Sequence, residues 1–111
     1  MADELTLAFT VPGRDADVLG AWRAQPPAFL GDGGYERTDE SYDTLVYEAD
    51  VTAKGTRLLM FGMATTLYRL SVTFRPDVAG GTRVTMTGQA KDAVREAILR
   101  YADEHGSARA G

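Results

Sequence analysis

Cysteine is absent from this chain, and histidine and tryptophan each occur once. Without cysteine there can be no disulfide, thiolate nucleophile, zinc ribbon or iron–sulfur cluster. The lone histidine, His105, stands beside Gly106 at the end of the last helical pattern, where a cation suits a helix C-terminus. A general base or metal ligand needs partners held rigidly around it, and a fraying helix end offers none. An excess of basic residues is also missing. Lys and Arg number 12 against 16 Asp and Glu, a net charge of −4. That balance argues against nucleic acid and anionic lipid as partners, since both need a basic face. No apolar run is long enough to cross a membrane. The most apolar stretch, Leu58 to Tyr68, runs eleven residues without a charge and contains Gly62, whereas a spanning helix needs about 20. The N-terminal "MADELTLAFTV" has neither a basic leader nor a long apolar core, so the expectation is a cytoplasmic protein.

The composition that remains is that of one globular domain. At 111 residues, 44% hydrophobic and 25% charged, the chain can fill one core. Residues 4–11, "ELTLAFTV", alternate, with Leu5, Leu7, Phe9 and Val11 on one face of a strand. "PGRD" breaks that strand, and Asp15 is the expected N-cap of a short helix carrying Val18, Leu19 and Trp22 at helical spacing. Pro26 and Pro27 end it, "AFL" can add one turn, and "GDGG" (31–34) reads as a flexible connection. "YERTDES" and "TLVYEADV" predict two strands joined by a turn near Glu40 to Asp43, with Leu45, Tyr47, Ala49 and Val51 inward. Tyr68, Leu70, Val72 and Phe74 fall on one face of a further strand, and Arg69, Ser71, Thr73 and Arg75 on the other. "RPDVAGG" is a hairpin loop, and "TRVTMTG" returns with Val84 and Met86 inward. A helix from about Ala90 to Glu104 carries the stripe Ala90, Val94, Ala97, Ile98, Tyr101, and Gly106 stops it. The predicted domain is 1–106, with 107–111 a flexible tail.

One-sided strands need a cover, and the helices are what the chain has to cover them. The fold class is therefore α+β: an antiparallel sheet of five to six strands, a short helix after the first strand, and a long C-terminal helix on one face.

This order resembles the helix-grip fold of the START/Bet v 1-like (SRPBCC) superfamily. The resemblance rests on "LYRLSVTFRPDVAGGTRVTMTGQAKDAVREAILRYADE" (67–104), which looks like the family's closing hairpin and C-terminal helix, and on "LTLAFTVPGRDADVLGAW" (5–22), which looks like its first strand and helix. The chain is short for that superfamily, with a compressed middle. The resemblance implies binding of an apolar small molecule between sheet and C-terminal helix. It transfers no catalytic residue.

The residue types themselves offer little chemistry. The acidic run Glu36, Asp39, Glu40, Asp43 lacks calcium-loop spacing and reads as a solvated turn. "GDGG" lacks the Lys-Ser/Thr of a phosphate loop, and no serine sits in a G-x-S-x-G context. The sequence leans away from an enzyme and calls for no cofactor or metal. Candidate ligand-binding residues are Tyr47, Tyr68 and Tyr101, Met86, and Met60, Phe61 and Met63 of the apolar run. In "RLLMFGM", both faces of a strand would be apolar. The segment is then a strand covered on its second face by another subunit, a lip of a ligand cavity, or an irregular turn over the core. A homodimer or other protein partner using 58–63 is the alternative to ligand binding.

Overall fold

The computed structural model describes residues 3–51, 67–106 and 109–110. Strand β1 (Glu4–Val11) is followed by helices α1 (Asp15–Ala24) and α2 (Ala28–Asp32). Strands β2 (Glu36–Glu40), β3 (Thr44–Asp50), β4 (Leu67–Pro76) and β5 (Thr82–Gln89) come next. Helix α3 (Asp92–His105) and a two-residue strand β6 (Arg109–Ala110) complete the chain. The strands form one antiparallel sheet in the order β2-β3-β4-β5-β1-β6, so the chain is α+β as its patterning predicts. Among the described residues, no helix is long and apolar enough to cross a membrane.

Alternation sets the faces. Leu5, Leu7 and Phe9 of β1, Leu45, Tyr47 and Ala49 of β3, Leu70, Val72 and Phe74 of β4, and Val84 and Met86 of β5 are all buried in one core. Register lines them up in rows: Leu45 opposite Val72, Val72 opposite Met86, and Met86 opposite Leu7. Leu19, Trp22, Phe29, Leu30, Ile98 and Ala102 come down onto this face from the three helices. Burying each large side chain here is worth about 1.5–3 kcal/mol. Val46 is also buried, although it points to the opposite face. Its cross-strand neighbours, Asp39 and Ser71, flank it from both sides of β3, and that shelter is what the pattern of β3 alone does not show.

Local chemistry moves some boundaries. The N-cap of α1 is Arg14, in extended backbone, and Asp15 is the first helical residue rather than the cap. Asp15 and Asp17 sit in the first turn, where a carboxylate suits the positive end of the helix. Gly31 and Asp32 of "GDGG" close α2 instead of belonging to a connection, and only Gly34 takes a positive φ, of 80°. Helix α3 begins at Asp92, two residues later than the apolar stripe suggests. Ala90 is fully buried ahead of it, and its N–H donates to the Asp3 carbonyl (2.8 Å). Asp50 pairs with Leu67, so β3 and β4 stay in register up to the point where the described chain breaks.

Thr10, which reads as an outward strand residue, and Thr82, in phase with the inward Val84 and Met86, are both buried and bonded. The Thr10 hydroxyl donates to the Asp77 carboxylate (2.6 Å), and the Thr82 hydroxyl donates to the Gly13 carbonyl (2.9 Å). Asp77 also accepts from the Ala79 N–H (2.9 Å), and Asp77 N–H donates to Gly81 O across the β4–β5 turn. The Thr10 hydroxyl, then the Ala79 amide, hold the Asp77 carboxyl below its ordinary value. A lowered carboxyl contributes stability above the unfolded-state value, and the contribution is lost as pH falls through the folded one. These bonds tie the β4–β5 hairpin to the β1–α1 loop. They thereby fix one wall of the groove described next.

Candidate functional site

The β1–α1 turn opens a groove. Val11 ends β1, Pro12 cannot donate to a continuing ladder, and Gly13 turns the chain with φ 106°. Helix α1 then rises with Asp17 and Val18 one turn below Ala21 and Trp22, a spacing that puts these four on one helical face. Opposite them, Tyr101 and His105 lie one turn apart on α3. These two helix faces and the end of β1 enclose an open groove of about 340 Å³. Its floor and walls come mainly from Val11, Pro12, Val18, Ala21 and the Trp22 and Tyr101 rings.

An aromatic cluster shapes it. The Trp22 ring stands edge-on to Phe29 (6.0 Å), Phe74 (5.4 Å) and Tyr101 (5.8 Å). Tyr101 is edge-on to Phe9 (6.1 Å) and Phe29 (5.4 Å), and lies 4.3 Å from the His105 ring. Edge-to-face pairs at these separations are favourable beyond their buried area, by about 0.5–1.5 kcal/mol each. Burial raises the Tyr101 phenol above its ordinary value, opposed by the Trp22 indole. The phenol is therefore a hydrogen-bonding handle rather than a charge.

Among the described residues, two smaller depressions flank the helices. One, of about 230 Å³, lies between α2 and α3 and is edged by Asp32, Arg100 and Glu104. The other, of about 190 Å³, lies between α1 and the β2–β3 turn, beside Arg23, Tyr42 and Asp43. Both are smaller and more heavily charged at the rim. Tyr101 is shared by the first of them and the main groove, and forms the ridge between the two.

The candidate residues scatter. Tyr101 lines the groove. Met86 is fully buried between Val72 and Leu7 and fills the core. Tyr68 is half-buried, and its hydroxyl donates to the Asp3 carboxylate, a bond that raises its pKa. Beside it, the Tyr35 hydroxyl donates to the Gln89 carbonyl. Burial, with the Tyr68 and Asp3 charges, pushes the Tyr35 pKa up to about 12. Met60, Phe61 and Met63 lie outside the described residues. The acidic run at the β2–β3 turn is engaged by arginines: Glu40 with Arg23 (3.0 Å) and Arg37 (3.8 Å), and Asp43 with Arg75 (3.0 Å). These are exposed pairs of the kind that contribute little to stability.

Tyr47 is the unusual case. It is 1% exposed, and among the described residues its hydroxyl is a buried polar atom with no hydrogen-bond partner. Burial raises its pKa, with the Arg37 charge opposing. An unmade buried hydrogen bond costs about 1–3 kcal/mol. Tyr47→Phe removes the atom and keeps the ring, so the variant is expected to be more stable by about 1 kcal/mol. Urea denaturation reads this as a raised midpoint at unchanged slope. A lowered midpoint would mean that the hydroxyl has a partner in the native protein.

Val11, Val18, Ala21 and Trp22 emerge as groove residues only in three dimensions. The sequence signal for them is the helical spacing of 17, 18, 21 and 22 facing that of 101 and 105. Such a signal identifies two faces but not their meeting. No protein-family model, curated protein or solved structure matches this chain.

Proposed function

We propose that this chain binds a small apolar molecule in the groove between α1, α3 and the end of β1. The observation that carries the reading is the groove's size and lining. Its volume of about 340 Å³ falls within the range of small-molecule sites, about 300–1,000 Å³. Apolar and aromatic side chains form most of its wall, with Asp17, Tyr101 and His105 as the polar or ionisable groups. The groove lies between α1 and α3 at the end of β1. The resemblance to the START/Bet v 1-like superfamily points to the same ligand chemistry.

The test is a titration with a neutral, environment-sensitive apolar dye. Ala21 is exposed on α1 and lines the groove, so Ala21→Phe fills it without disturbing the core. The unaltered protein is expected to bind the dye saturably, and Ala21→Phe to weaken binding at least about tenfold, which corresponds to about 1.4 kcal/mol. Equal binding by the two proteins, with both folded, would place the dye elsewhere and remove the support for this reading.

A further inference from the structure

The polar groups of the groove specify its ligand further. Resting on the reading above, we infer that the occupant carries a cationic group, an ammonium or amidinium, held against Asp17 at the rim, with its apolar body on Val11, Val18 and Ala21. Among the described residues, Asp17 is the one carboxylate lining the groove, and neither lysine nor arginine lines it. Several acidic residues elsewhere on the described surface pair with arginines. Glu40 faces Arg23 and Arg37, Asp43 faces Arg75, Asp77 faces Arg83 (3.8 Å), and Asp92 faces Arg95 (3.9 Å). Among the described residues, Asp17 has no such cation.

A helix N-terminus alone does not account for Asp17. Asp15 shares the first turn and gives α1 the same dipole benefit, but it faces the depression beside Tyr42 rather than the groove. Only Asp17 combines a place in that turn with a place on the apolar rim. There, a bound organic cation keeps its apolar part out of water and pairs its charge in one pose. Tyr101 and His105, with ring centroids 4.3 Å apart, add an aromatic wall beside the pocket. The negative face of an aromatic ring attracts a cation further. The chain's net charge of −4 adds a long-range field of the same sign. An anionic ligand of the same shape would meet the Asp17 carboxylate, with neither lysine nor arginine among the described lining residues to offset it.

Three probes with one apolar body separate the terms: naphthylmethylammonium, naphthylmethanol and naphthylacetate, measured by equilibrium dialysis. The ammonium is expected to bind about fivefold more tightly than the alcohol, as an exposed ion pair can supply. The acetate is expected to bind most weakly. Asp17→Asn, at an exposed position that tolerates the change, is expected to abolish the preference for ammonium over alcohol. Equal binding of ammonium and alcohol to the unaltered protein overturns this inference and leaves the groove reading standing. A preference that survives Asp17→Asn overturns the inference in the same way. Failure of all three probes to bind overturns both.

Discussion

Gly88→Ala is expected to lower stability by about 3 kcal/mol or more, at the upper end of what overpacking costs. Gly88 sits inside β5, paired with Leu5 on one side and Leu70 on the other, at φ 144°. That region favours glycine because a side chain there meets its own backbone. The surroundings are equally closed. A Cβ at Gly88 would lie 1.9 Å from the Arg69 carbonyl oxygen and 2.8 Å from its carbon. Both are backbone atoms of the neighbouring strand, so no rotamer change relieves the clash. The ladder joining β4 to β5 must shift, and that ladder holds Val72 against Met86 and Phe74 against Val84. Gly20 provides the contrast. It lies inside α1, and a Cβ there would meet nothing within 4 Å. Gly20→Ala is therefore expected to stabilise by about 0.5–1 kcal/mol, the difference in helix propensity. Urea midpoints for the two variants should move in opposite directions. A Gly88→Ala protein as stable as the parent would show that β4 and β5 are not paired in this register.

Trp22→Ala should cost about 3–5 kcal/mol, the range for deleting a large aromatic side chain from a core. Trp22 is 4% exposed and joins all three helices to the sheet. Its ring meets Phe74 of β4, Phe29 of α2 and Tyr101 of α3. Removing it takes away three edge-to-face contacts and leaves a void at the point where the layers meet. For a domain of this size, each 1 kcal/mol shifts Tm by roughly 4–8 °C, so a fall of at least roughly 12 °C is expected. Trp22→Phe keeps a ring in the cluster and should lose less than half as much. A Trp22→Ala protein with a parental Tm would contradict the packing of α1 on β4. Trp22 serves the fold first, and it lines the groove with the small part of its ring that remains exposed.

How much of this was legible beforehand follows from the range of each interaction. The alternation in "ELTLAFTV" places β1 and its buried face correctly because one residue's neighbours two positions away report the same face. The same holds for Leu70, Val72 and Phe74 of β4 and for Val84 and Met86 of β5. Helical spacing finds α3 with Ile98 on its buried side. The places where the reading departs are those decided by distant partners. Thr10 reads as an ordinary outward strand residue, yet it is buried and bonded to Asp77, which comes from elsewhere in the chain. Val46 is buried by residues of two other strands. Gly31 and Asp32 are helical because α2 packs against α3, an arrangement that local glycine content argues against.

The groove illustrates the same limit. Asp17, Val18, Ala21 and Trp22 form a legible helical face, and so do Tyr101 and His105. What brings them together is the pairing of β1 with β5, which places the N-terminal strand beside the strand leading into α3. That pairing spans most of the chain and leaves no local mark. Of the residues expected to bind a ligand, Tyr101 is the one in the groove lining among the described residues.

The central claim is that the groove between α1 and α3 holds a small apolar ligand. The most direct measurement is a two-dimensional ¹⁵N NMR titration with naphthylmethanol. Saturable shifts should concentrate in the amides of Val11, Gly13, residues 17–22 and residues 101–105, with the Trp22 indole N–H among the most affected. Absence of saturable shifts, or shifts centred away from these three segments, would contradict it.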